Sequence, residues 1–259
     1  LLSAGFHSEL ITQHSALSTI IQEDVSSMDL IWDGISKAFW LLVTGDPEVL
    51  RVTLLSIQVS GTATLVSLLI GVPLGTALAL SRFPGRQIVI SLVNTGMGMP
   101  PVVAGLFITI LLWRNGPLGL FHMLFTPTAM VIAQTVIAAP MVCGITLAAI
   151  GSLNPKLRLQ ILALGATRWQ MLWLLMREAR LPLLAAVMAG FGAVISEVGA
   201  STMVGGNILG QTRVLTTATV MESSKGNFDV AIALSLILML LMYLVNLVLT
   251  YAQQRQRPL

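Results

Sequence analysis

Apolar residues run almost unbroken through five stretches of the chain, at about 51–80, 88–113, 127–150, 181–204 and 228–251, with polar or helix-breaking residues between them. Each stretch has about 20 residues or more, the length a helix needs to cross roughly 30 Å of hydrocarbon. The first is the longest: at 1.5 Å per residue it reaches about 45 Å, so it must tilt or project beyond the bilayer. Gly61, Gly71 and Gly75 within it allow neighbouring helices to approach closely. Pro100 and Pro101 fall in the middle of the second stretch and Pro140 inside the third. A proline removes a backbone hydrogen-bond donor, so these positions predict interruptions that neighbours or a water-lined path must satisfy. A transport route and a packing kink both fit that pattern.

Residues 29–43 mix apolar side chains with Asp33 and Lys37 and include Trp32 and Trp40, which predicts an interfacial amphipathic helix, stopped by Thr44, Gly45, Asp46 and Pro47. Residues 1–27 carry Glu9, Glu23 and Asp24, no Lys or Arg, and no long apolar core. They read as a weakly ordered N-terminal extension rather than a secretory signal, with Met28 as a natural start.

Between the third and fourth stretches the lipid pattern stops. Residues 151–180 combine Lys156, Arg158, Arg168, Arg177, Glu178 and Arg180 with leucines and two tryptophans, the pattern of helices on a membrane surface. Asn154 can cap a helix opened by Pro155, and that helix should end near Leu164-Gly165. Gly165 permits a sharp turn, and Thr167 with Gln170 matches a capping box that starts a second helix. The result is two short helices joined by a tight corner, a shape that a soluble partner can grip.

The sequence is 55% hydrophobic and 10% charged, which a soluble domain could not keep from water. One all-α membrane domain, over residues 28–259, follows. The net charge of +3 lies beside apolar stretches rather than in one cluster, so it describes orientation, not nucleic-acid binding. Placing residues 81–87, 151–180 and the C-terminal tail on one side gives that side nine of the fourteen basic residues, Arg255 and Arg257 among them. That side is then cytoplasmic and the N-terminus lies outside. A single cysteine, Cys143, offers neither a disulfide framework nor a metal site, and His7, His14 and His122 lack ligand spacing. No metal and no catalytic residues are expected.

Residues Leu159 to Trp169 resemble the EAA loop of ATP-binding cassette (ABC) importer permeases, with Gly165 and Ala166 in place, Leu159-Gln160-Ile161 where the family has Glu-Ala-Ala, and Leu181-Pro182 displaced by about one helical turn. Residues Glu197 to Arg213, with Glu197-Val198-Gly199-Ala200 followed by Gly206-Asn207-Ile208-Leu209-Gly210-Gln211-Thr212, are similar to molybdate and tungstate permeases. The continuation Val214 to Ala218 and Ser223 to Gly226 is most similar to the tungstate branch. The resemblance covers roughly residues 28–257.

It implies a type I ABC importer permease fold in a cytoplasmic (inner) membrane, pairing with a second copy. A cytoplasmic ATPase dimer holding ATP and Mg would sit on one side, an extracytoplasmic solute-binding protein on the other, and lipid around it. Tungstate would be the cargo and molybdate the nearest alternative. In that frame Leu164, Gly165, Ala166, Thr167, Arg168 and Trp169 couple to the ATPase. Pro100, Pro101, Ser196, Glu197 and Gly199 lie at a path or gate, and Gly205, Gly206, Asn207, Gly210, Thr212 and Arg213 form an external loop where Arg213 meets an oxyanion.

Glu197 is the one carboxylate deep in an apolar stretch, a costly placement. It fits either a structural pairing with Ser or backbone amides, or a gate; direct coordination of an anion is opposed by repulsion. Residues 205–212 imitate a phosphate-binding loop but lack its lysine and the preceding strand, so this chain is not expected to bind ATP. The rival class is a self-sufficient, gradient-driven carrier with Glu197 as its coupling site.

Overall fold

A computed structural model describes residues 28–254; the reading of residues 1–27 and of Arg255 and Arg257 lies outside them. Every regular element among the described residues is helical. Helix α1 covers residues 28–44. One face of it lies on the last helix, α11 (Phe228–Gln254). A Cβ on Gly34 would sit 2.4 Å from Ile232, Ala38 and Leu41 pack with Ala233, and Lys37 Nζ lies 2.5 Å from Asp229 Oδ2. Met28, Trp32, Ile35, Phe39 and Val43 form an exposed apolar stripe on α1.

Helix α2 (Pro47–Leu80) starts four residues before the expected span, because Asp46 Oδ1 accepts from the amides of Glu48 and Val49 at 2.9 and 3.0 Å and Pro47 takes the first helical position. Its 34 residues make about 51 Å of helix. It packs along the central helix α5 (Pro127–Gly151), capped by Thr126. The approach is close because side chains are missing there: a Cβ on Gly71 would lie 2.9 Å from the Ala139 carbonyl oxygen, and one on Gly75 would lie 2.5 Å from that of Cys143. Gly61 has open space beside it, so the close approach expected there does not occur within this chain.

The apolar stretch 88–113 is not one straight span. It forms α3 (Arg86–Met97) and α4 (Pro101–Leu112), bent by 102°, and twelve residues reach only about 18 Å. The cause is the proline pair: Pro101 disfavours helical geometry at Pro100, which is extended at φ −59°, ψ 128°. Pro140, also expected to interrupt, does not. Helix α5 continues through it, and its ring packs where a Cβ on Gly96 would lie 2.9 Å away.

After α5 come α6 (Pro155–Ala163) and α7 (Arg168–Glu178), then α8 (Arg180–Ile195), bent 70° from α7. The expected fourth span, 181–204, is also interrupted: α8 stops at Ile195 and α9 (Gly199–Gly205) restarts after a break. Helix α10 (Leu215–Ser224) precedes α11. Three helices are individually long and apolar enough to cross a membrane, namely α2, α5 and residues Phe228–Tyr251 of α11. The number rises to five if the bent pairs α3–α4 and α7–α8 are each one crossing. The corner α6–α7 lies at the Leu80 end of α2, and residues 205–213 lie at its Pro47 end.

Candidate functional site

The two helix breaks meet. Helices α4 and α9 cross closely at two glycines: a Cβ on Gly199 would lie 2.6 Å from Val102 Cγ2, and one on Gly105 would lie 2.6 Å from the Ala200 Cα. Pro100 and Pro101 open α4 and Glu197 precedes α9, so the sequence's two suspected path segments form one crossing. Gly105 was not singled out from sequence, since one glycine in an apolar run carries no sign of what crosses it.

Glu197 is 7% exposed at this crossing. Its Oε1 accepts from the Ala200 amide at 2.7 Å, capping α9 where the helix presents unpaired donors. Its carbonyl accepts from Thr216 Oγ1 at 3.1 Å. Of the two readings left open, pairing with a backbone amide is the one this geometry displays. Ser196 is exposed, and its Oγ donates to the Gly192 carbonyl at 2.8 Å. Thr202, also exposed, donates to Val198 in the same way. Bound into their own helices, these hydroxyls present lone pairs rather than protons to the open side.

Residues 205–213 fold into a loop that uses its own polar groups. Thr212 is fully buried, its Oγ1 donating to the Gly205 carbonyl at 2.6 Å and accepting from the Ile208 amide at 2.9 Å. The Ile208 carbonyl in turn accepts from the amides of Gln211, Thr212 and Arg213. Asn207, at φ 51°, accepts from Thr217 Oγ1 at 2.9 Å, and Gly206 and Gly210 hold φ of 72° and 74°. A phosphate-cradling loop keeps such amides free, and here they are spent on Thr212 and Ile208. The Leu215 amide reaches Ser56 Oγ at 2.8 Å, and Arg213 Nη1 lies 3.4 Å from Glu48 Oε1, so the loop is fastened to the start of α2.

At the opposite end, Asn154 Oδ1 accepts from the Lys156 amide at 2.9 Å and Pro155 opens α6. Gly165 turns at φ 84°, Thr167 Oγ1 accepts from the Gln170 amide at 3.3 Å, and Gln170 Oε1 accepts from the Thr167 amide at 2.8 Å. Ile161, Met171 and Leu175 are buried between the two helices with Ala166 against them. Leu164 and Trp169 point away, 87% and 82% exposed, and Arg168 is exposed beside them. The Arg177 guanidinium stacks 5.4 Å from the Trp173 ring. The arrangement is a stiff corner with an apolar tip.

The model of a family described as binding-protein-dependent transport system inner membrane component matches residues 71–258. The tungstate uptake system permease protein of Peptoclostridium acidaminophilum is 37% identical over 88% of this chain and 100% of its own length. A probable anion ABC transporter permease protein of Haloferax volcanii is 42% identical over 75% of this chain and 86% of its own. Among solved structures, an inward-facing MetNI methionine ABC transporter chain superposes with a TM-score of 0.66 at 21% identity, covering 85% of this chain and 98% of that one.

Proposed function

The chain belongs to the family of binding-protein-dependent transport system inner membrane components, and from that membership we propose that it is the membrane-spanning subunit of an ABC importer carrying tungstate. The carrying observation is the corner: Leu164 and Trp169 are almost wholly exposed on a rigid, doubly capped turn that leaves the bundle. An apolar tip on a stiff stalk is what a docking partner covers. The partner is a cytoplasmic ATPase dimer that binds ATP and Mg, and a second copy of this chain completes the path. An extracytoplasmic solute-binding protein delivers the anion. The corner side is cytoplasmic and the loop 205–213 lies outside, an orientation supported by the concentration of Arg and Lys around the corner.

Closing of the ATPases displaces the tip about Gly165. Because α6 and α7 adjoin α5 and α8, the displacement reaches the crossing of α4 and α9, where Gly105 and Gly199 hold the helices in close contact and two packings can interchange. Tungstate as cargo rests on the 37% identical permease, with molybdate as the alternative, since a molybdenum transport system permease of Escherichia coli is 28% identical over 73% of this chain. A gradient-driven carrier is disfavoured by Glu197, whose carboxylate is occupied as a helix cap. The test is uptake of tungstate and molybdate into vesicles holding permease, ATPase and binding protein, each omitted in turn. Uptake that needs all three and ATP supports the reading; uptake by this chain alone under an ion gradient overturns it.

A further inference from the structure

We infer that Arg51 and Arg213 form an oxyanion-binding site at the outer end of the chain. Both line one groove of about 300 Å³, with Glu48, Leu209 and Gly210 around them. Nearby basic side chains are accounted for: Lys37 sits 2.5 Å from Asp229, and Lys225 sits 2.8 Å from Glu222. The two arginines are matched less completely. Arg213 has a side chain only 15% exposed and holds Glu48 at a long 3.4 Å, and its Nε is buried without a hydrogen-bond partner. Arg51 makes no hydrogen bond or ion pair among the described residues, and its Nη1 lies against Gly210, where a Cβ would be 3.3 Å away.

Two guanidinium groups and one carboxylate line the groove itself, while Asp46 and Glu222 share a neighbouring cavity with Arg213, and partial burial of Arg213 limits screening by salt. A buried donor without an acceptor calls for a missing ligand or water. Guanidinium forks match the paired oxygens of tetrahedral oxyanions, and a groove of this size admits one readily. The occupant is therefore a tetrahedral oxyanion: the transported metalate, or the phosphate of an outer-leaflet lipid. The choice of metalate rests on the proposed function, whereas the site does not. It places a first receiving point beside the external loop, where an anion released above the membrane is held before entering the path.

The experiment uses the purified permease without its partners. Equilibrium dialysis with labelled molybdate and with sulfate, in delipidated protein, measures anion binding, and native mass spectrometry of the gently extracted protein records retained phospholipid. Saturable binding is expected to weaken about tenfold or more in Arg213→Gln and in Arg51→Gln, with Lys225→Gln unchanged. Arg51→Gln removes no bond of the folded chain, so its effect reports the groove and not folding. A phospholipid retained by the parent, displaced by molybdate and lost from both arginine variants, identifies lipid phosphate as the occupant of the same site. Binding unaffected by either arginine change, or a parent that neither binds anions nor retains lipid, overturns the site. Failure of tungstate uptake by the complete importer while Arg51-dependent binding persists instead overturns the proposed function.

Discussion

Arg158 on α6 donates from Nη1 to the carbonyl of Leu80, the last residue of α2, at 3.1 Å. Arg86 donates from Nε to the carbonyl of Leu78 at 2.8 Å. These carbonyls have no partner inside their helix, and cations suit the negative end of its dipole. The corner is thus tied to α2 as well as to α5 and α8. Arg158→Ala is expected to cut tungstate carried per ATP hydrolysed by about fivefold, the value of a charge-assisted bond of about 1 kcal/mol, while hydrolysis continues. Parallel uptake and ATPase assays check it; a fall in both together refutes a coupling role.

At the crossing, Glu197→Gln keeps an oxygen to accept from Ala200, and Glu197→Ala does not. The glutamine variant should retain near-parental thermal stability and uptake. The alanine variant should lose about 1 kcal/mol, as for a deleted helix cap, read as a drop in melting temperature in detergent. Abolished uptake in a stable Glu197→Gln protein would instead favour a protonatable gate.

Gly105 and Gly61 make a matched pair. Gly105→Ala places a methyl 2.6 Å from the Ala200 Cα and should cost about 1–3 kcal/mol or jam the crossing. Gly61→Ala meets open space in a helix and should be neutral or stabilising by up to about 1 kcal/mol. Thermal melts of both proteins, with uptake alongside, separate the two positions.

In the last turn of α10, Glu222 accepts from Asn227 at 2.7 Å and from Lys225 at 2.8 Å, and these bonds hold its carboxyl below the usual glutamate range. A lowered folded pKa means that the unfolded chain binds the proton more readily. The stabilisation is present above the unfolded value and is lost as pH falls through the folded one. The protection of amides 225–228 relative to their intrinsic exchange rates should fall on acidification through that window in the parent, and in Glu222→Gln it should be low and flat across it.

Replacing Leu164 and Trp169 together by serine removes the apolar tip without touching the Thr167–Gln170 box. Co-purification of the ATPase should fall by tenfold or more while the permease melts normally. Retained association would move the docking surface elsewhere.

What could be read from the sequence was local. Asn154 with Pro155, Gly165, and Thr167 with Gln170 each specify geometry within a few residues, and each adopts it. The depth of the α3–α4 bend was hidden because periodicity records apolarity and not direction. Pro100 breaks a helix that Pro140 does not, since a following proline forces Pro100 extended. Glycines at 61, 71 and 75 look alike in the chain and part company only once α5 lies beside two of them. The pairing of Arg51 with Arg213 was invisible for a plainer reason: they are distant in sequence, and Arg51 looked like the edge of an apolar run.

The bare tip at Leu164 and Trp169 also bears on how such a subunit is made. Under the proposed docking, the newly inserted chain carries a greasy handle until its partner arrives, exposed apolar surface of the kind that chaperones and proteases sample. On that reading a surplus of this chain over its ATPase is the more vulnerable half.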